Sequence, residues 1–333
     1  MGTNKKKWQQ DLINSFTNPQ QLLKYLNTQP LSIDLSNFNN FPFLVSESFA
    51  NRMEPKNIND PLLKQILPIN LENANQPKEY SKDPLNEAKY SPIPGLIHKY
   101  KSRVLIILST HCAINCRYCF RRNFPYKSNQ ISQKTWLKII NYIDQSPQIN
   151  EIIFSGGDPL IMPDSQIKNK INTIATIPHI KTIRFHTRIP IVLPSRIDDG
   201  FIDLLKFIQN KNLQSIIILH CNHPNELNNE IKIKLNKIYN NTNCKIYNQA
   251  VLLKDINDNI NTQVTLWQKC YEIGIMPYYL HLFDKVNGAA HFEVPEKLAL
   301  GLYTQIQTEL PGYMTPKLAR ETPGEAFKKT NFS

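Results

Sequence analysis

The sequence predicts an α/β protein: a partial (β/α)6, TIM-like barrel behind a helical N-terminal segment. Two observations carry this. From about residue 101 onward, short β-branched apolar runs alternate with longer amphipathic stretches. Polar residues then recur at the ends of those runs. Continuous apolar strands separated by helices mean parallel strands buried on both faces.

Residues 1–100 read as the N-terminal segment. PQQLLKYLN (19–27) and DPLLKQIL (60–67) space their apolar residues as helices do, and Pro and Asn break the pieces. The segment shows no recognisable chemistry. The start, MGTNKKKWQQDL, has no apolar core of a secretory signal. No run of about 18 apolar residues occurs anywhere, which excludes a transmembrane helix. A cytoplasmic protein without a membrane partner is expected.

Residues 101–310 read as the barrel core, and 311–333 as a C-terminal segment. The six runs are RVLIILS (103–109), EIIFSG (151–156), TIRFHT (182–187), SIIILH (215–220), KIYNQAV (245–251) and MPYYLHLF (276–283). Helix-like stretches lie near 132–145, 164–177, 198–210, 226–240, 261–273 and 296–309. His111 and a cysteine cluster follow the first run, and Ser155, Gly156, Gly157 and Asp158 the second. His186 and Arg188 end the third, His220 the fourth, Asn248 and Gln249 the fifth, and Asp284 the sixth. Barrel active sites are assembled at these strand ends, so six such groups point to one shared site.

With 39 Lys+Arg against 27 Asp+Glu, the net charge is +12, and hydrophobic residues make up 41%. That excludes a wholly disordered chain. The lysines are scattered through an Asn-, Ile- and Lys-rich sequence, as in NELNNEIKIKLNKIYNNTN (225–243). The charge therefore reads as a drift in composition and not as a nucleic-acid surface, with a nucleic-acid or acidic-protein partner as the alternative.

Of the six cysteines, Cys112, Cys116 and Cys119 cluster, while Cys221, Cys244 and Cys270 stand alone. This is not a secreted disulfide framework. THCAINCRYCF (110–120) holds C-x3-C-x2-C. Three thiolates on one loop can bind three irons of a [4Fe–4S] cluster and leave the fourth open. The alternative is structural zinc, which wants a fourth ligand. His111 is poorly placed for that, and Cys221 would have to fold back. In SGGDPL (155–160) the glycines let a ligand approach the backbone, and free N–H groups can bind its polar end. An ordinary Gly-rich turn is the alternative.

The cysteine spacing, with Tyr118 before the last Cys, resembles the radical S-adenosylmethionine superfamily. More narrowly, the chain resembles the lysine 2,3-aminomutase family. The resemblance runs from about Ile93 to Lys328 through HKYKSRVLI, CRYCFRR, FSGGDPL, RIPIVLPSRI, HCNHPNE, NQAVLLKDIND and MPYYLHLFDKVNGAAHF. It is strongest to the short form that supplies β-lysine for modifying translation elongation factor P.

The resemblance implies radical chemistry that moves the amine of L-lysine from C2 to C3, giving β-lysine, with a [4Fe–4S] cluster, S-adenosylmethionine and pyridoxal phosphate as cofactors. It implies that Cys112, Cys116 and Cys119 hold the cluster. Ser155, Gly156, Gly157, Asp158, Arg188, His220 and Gln249 would contact S-adenosylmethionine. TPKLARETPGEAFK (315–328) aligns with the segment ending in the cofactor lysine, so Lys328 would bind pyridoxal phosphate and Arg103 its phosphate. The local string GEAFKK departs from the family, which keeps Lys329, or a frayed basic tail, as alternatives. Arg121 would clamp the substrate carboxylate. Asp284 and Glu321 would hold the distal ammonium, Glu321 standing where longer members carry Asp; surface salt bridges are the alternative for both. Implied partners are L-lysine, a reductant, elongation factor P and its β-lysine ligase. The competing readings are the same chemistry on another amino acid, or a metal-binding, nucleic-acid-associated module.

Overall fold

The six apolar runs become six consecutive parallel strands. The computed structural model describes residues 5–29, 41–74, 76–330 and 332. It orders eight strands in one sheet, each beside its neighbour in sequence. They are β1 (Leu96–Tyr100), β2 (Arg103–Ser109), β3 (Glu151–Gly156), β4 (Thr182–Thr187), β5 (Gln214–His220), β6 (Lys245–Val251), β7 (Met276–His281) and β8 (Lys317–Ala319). Strands β2 to β8 run parallel, and β1 pairs antiparallel with β2. Strands β1 and β8 are the two edges, so the barrel stays open. The predicted partial barrel is thus present, with two short edge strands that the sequence reading did not include.

Helices Gln133–Asp144, Asp164–Ile174, Asp199–Asn210, Asn229–Asn241, Ile260–Glu272 and Glu296–Glu309 fill the predicted positions. Ser132, Asp198, Asn228 and Asn259 start four of them, each accepting a backbone N–H three residues on. Each helix turns one apolar stripe to the sheet, such as Trp136, Ile139 and Ile143. The outward-facing strand residues Ile152, Phe154, Ile183 and Phe185 meet those stripes and are fully buried. The period of two turns the alternate residues inward: Leu105, Ile153, Ser155, Arg184, His186, Gln249, Tyr279 and His281 line one cavity.

The N-terminal helices Pro19–Tyr25 and Pro61–Lys64 fall within the two predicted strings. Their Leu22, Leu23, Leu62 and Leu63 join the same hydrophobic core as the barrel. Residues 1–4, where the start was read for a leader, lie outside the described residues. Among the described residues no helix is long and apolar enough to cross a membrane.

Candidate active site

The cavity has a volume of about 310 Å³ and is lined from the C-terminal strand ends at Ser155, Thr187, His220 and Val251 to Arg103 at the start of β2. Three half-buried thiols, Cys112, Cys116 and Cys119, line it from the loop after β2. That loop is pinned from outside. Asn115 N–H donates to the Leu44 carbonyl at 3.0 Å, and Arg117 N–H to that of Gln65 at 2.9 Å. Burial pushes the Cys112 thiol up, and the Cys119 thiol up to about 11. Cys221 is buried elsewhere, its N–H bonded to Asn248 Oδ1 at 2.9 Å, and does not line the cavity. The zinc alternative loses its fourth ligand. Among the described residues no three His, Cys, Asp or Glu side chains stand close enough to hold a single metal ion. A [4Fe–4S] cluster takes each thiolate on a different iron, so its ligands stand farther apart.

The glycine loop lies against the cysteine loop. Gly157 N–H donates to Ser109 O at 2.8 Å and Asp158 N–H to His111 O at 2.7 Å. A Cβ on Gly157 would stand 2.3 Å from His111 O, and one on Gly156, at φ +123°, 2.2 Å from Ser109 O. The glycines therefore make room for neighbouring backbone. The Asp158 carboxylate accepts from Leu160 N–H, Thr187 Oγ1 and the N–H groups of Arg188 and Ile189. It ties the end of β3 to the end of β4. Burial still pushes this carboxyl up to about 6.

Arg188 and His220 close the far wall. Arg188 donates to Cys116 Sγ at 2.8 Å, to Tyr118 Oη at 2.6 Å and to Glu226 Oε2 at 2.9 Å. His220 Nε2 lies 2.8 Å from Tyr118 Oη. Burial, with Arg188 nearby, pushes its imidazole down to about 3, so it is neutral. Strand register sets His220, Gln249 and Tyr279 side by side on β5, β6 and β7.

At the end of β3, Arg121 grips Glu87 with Nε and Nη2 at 2.8 and 2.6 Å and donates to Ser155 Oγ at 3.0 Å. Arg103 stacks its guanidinium 4.2 Å from the Tyr100 ring centroid and forms no ion pair among the described residues. Lys328 reaches in from the C-terminal segment, its Nζ 2.5 Å from Glu321 Oε2. Lys329 pairs its backbone with Arg320, and its Nζ lies over Phe332, outside the cavity lining. Glu321 also accepts from Lys99 Nζ at 2.5 Å and from the Tyr100 hydroxyl. Burial alone would raise the Glu321 carboxyl, but Lys328, Lys99 and Tyr100 together hold it down at about 2. Asp284 has no such donors among the described residues, and burial pushes its carboxyl up to about 7.

Residues 106–243 match the radical SAM superfamily model. The chain is 42% identical to the L-lysine 2,3-aminomutase of Buchnera aphidicola over 97% of its own length and 95% of that protein. The chain belongs to the L-lysine 2,3-aminomutase family. It is also 40% identical to the Escherichia coli member, over 96% of this chain and 93% of that one. With the Clostridium subterminale member it shares 32% identity over 85% of this chain and 67% of that one.

Membership makes the chain an isomerase of this family with a radical SAM domain, and implies a [4Fe–4S] cluster, S-adenosylmethionine and pyridoxal phosphate. The residues present fit these groups. The clustered thiols suit iron, and Arg103, without an ion pair among the described residues, suits a phosphate. The Arg188 Nε and His186 Nε2 atoms are buried without partners among the described residues, as polar edges awaiting a ligand would be.

Sequence reasoning missed the partners of the arginines in CRYCFRR, because they lie in the segment read as carrying no chemistry. Glu72 binds Arg117 Nε at 2.8 Å and Arg122 Nη2 at 2.6 Å, all three side chains being buried. Glu87 serves Arg121, and Gln65 Oε1 accepts from Arg188 at 2.7 Å. The N-terminal segment thus braces the cysteine loop. Glu72→Ala would leave two buried guanidinium groups without a counter-charge. It is expected to cost about 3–5 kcal/mol of stability, read by denaturant unfolding; a loss below about 1 kcal/mol, the size of an exposed pair, would contradict the brace.

Proposed function

We propose that the chain converts L-α-lysine to β-lysine. One observation carries the reading: a single cavity is lined by three clustered cysteines, a glycine loop, Arg103, Lys328 and, among its carboxylates, Asp284 and Glu321. In this reading Cys112, Cys116 and Cys119 hold the cluster. Ser155, Gly156, Gly157, Asp158, Arg188, His220 and Gln249 surround S-adenosylmethionine. Lys328 binds pyridoxal phosphate, with Arg103 at its phosphate. Arg121 faces the substrate carboxylate through the edge it turns to Ser155, and Asp284 and Glu321 face the distal ammonium. When bound, the cofactors supply the radical and carry the migrating amine.

The chain's own share is to bind, orient and keep water out. Leu105, Ile153, Val251 and Phe283 give the cavity apolar walls. Burial holds His186, His220 and His281 neutral, so they add no cation to a pocket that must accept one. Asp284, which has no basic partner among the described residues, carries the preference for a cationic side chain over glutamate, while Glu321 already pairs with Lys99 and Lys328.

The pH dependence follows from Asp284. At about pH 6 most of this carboxyl is protonated, and only its ionised form pairs with ammonium. The KM for lysine is therefore expected to fall as pH rises through about 7 and then to level off. Asp284→Asn should remove that limb and weaken lysine turnover by roughly 2–5 kcal/mol in kcat/KM. Steady-state kinetics across pH test this; unchanged lysine kinetics in the variant, or faster turnover of a neutral amino acid by the native chain, would contradict the assignment.

The proposal extends to the cytoplasm, an external one-electron reductant, and delivery of β-lysine to elongation factor P and its ligase. The strings CRYCFRRNFPY and GAAHF, which resemble the short form, support that link. No nucleic acid or membrane is invoked.

A further inference from the structure

The functions assigned so far leave Glu226 without a task. It ends HCNHPNE, sits in the turn Pro224–Glu226 and is fully buried. Its two oxygens divide their partners. Oε1 accepts from Gln65 Nε2 at 3.0 Å and from the N–H groups of Asn222 and His223 at 3.0 and 3.1 Å. Oε2 accepts from Arg188 Nη2 at 2.9 Å, while Nη1 of the same guanidinium lies 2.8 Å from Cys116 Sγ.

We propose that Arg188, anchored by Glu226 and Gln65, sets the reduction potential of the cluster through Cys116. This rests on reading Cys116 as a cluster ligand. Reduction adds one electron, and its negative charge spreads onto the ligating sulfurs. A guanidinium donating to one of those sulfurs stabilises the added charge and raises the potential. A buried guanidinium stays charged and in place when a carboxylate compensates it. Glu226 does so on the second Nη, so the positive end of the pair faces the sulfur. Arg188 and Glu226 are in this respect positioning residues, acting through a ligand. Outer partners of this kind tune a metal centre without touching it.

The test is a spectroelectrochemical titration of the reconstituted full chain without S-adenosylmethionine, pyridoxal phosphate or lysine. Arg188→Met/Glu226→Gln removes both charges together and leaves the local net charge unchanged. The midpoint is expected to fall by about tenfold in the reduction equilibrium, about 59 mV for one electron. Arg188→Lys keeps a cation beside Glu226, but one ammonium cannot fork between carboxylate and sulfur. Its midpoint should fall by less, and it serves if the double variant does not fold. Iron and sulfide content is measured alongside, because a merely structural defect lowers the amount of cluster and leaves the midpoint of the remainder. An unchanged midpoint in a folded variant with a full cluster overturns the inference. Failure of the native chain to take up iron and sulfide overturns the cluster reading itself.

Discussion

Replacing Cys116 by alanine is expected to abolish cleavage of S-adenosylmethionine and to strip the protein of most of its iron. Three thiolates are the minimum for a cluster with one open iron. The chain offers no substitute: Cys221, Cys244 and Cys270 are buried away from the cavity. Cys112→Ala and Cys119→Ala should behave alike. Cys244→Ala or Cys270→Ala should cost only packing, about 1 kcal/mol, because these thiols act as small buried hydrophobes. Iron and sulfide assays, with release of methionine and 5′-deoxyadenosine, separate the two groups. Full iron and full activity in Cys116→Ala would remove the cluster from this loop.

Lys328→Ala is expected to lose covalently held pyridoxal phosphate and all aminomutase activity while keeping the iron–sulfur spectrum. The amine must be neutral and within reach of the aldehyde. Lys328 lines the cavity, whereas its neighbour Lys329 lies over Phe332. The backbone pairing of Lys329 with Arg320 fixes this alternation. Borohydride reduction followed by peptide mapping should find the cofactor on Lys328, and Lys329→Ala should retain it. Truncation after Phe327 should match Lys328→Ala, since it leaves the cysteine loop and all eight strands. Label on Lys329 would shift the register by one, and label on neither would take the tail out of the site.

The sequence made legible what is contiguous along the chain and buried on a regular period. Six largely apolar runs became β2 to β7 because packing under the helices forces apolar side chains onto their outward faces, while their inward faces carry the polar residues of the cavity. Edge strands escape that constraint. LIHKY of β1 ends in three half-buried residues, and β8 is three residues long. The cysteine and glycine strings were readable for the same reason, because each site is one loop. Glu72, Glu87 and Gln65 were not, since their partners stand 34 or more residues away and no local pattern marks them. A buried carboxylate opposite an arginine is a tertiary fact. The glycines show a subtler limit: the sequence told that space was needed at 156 and 157, but not that Ser109 and His111 fill it.

In the proposed function this cavity moves an amine along lysine. The most direct measurement is anaerobic incubation of the reconstituted chain with α-15N-labelled L-lysine, S-adenosylmethionine, pyridoxal phosphate and dithionite, followed by chromatography and mass spectrometry. β-Lysine carrying the label at C3 is expected, with many turnovers per S-adenosylmethionine consumed. Recovery of unchanged lysine from protein that carries its full iron and pyridoxal phosphate, and that cleaves S-adenosylmethionine, would contradict it.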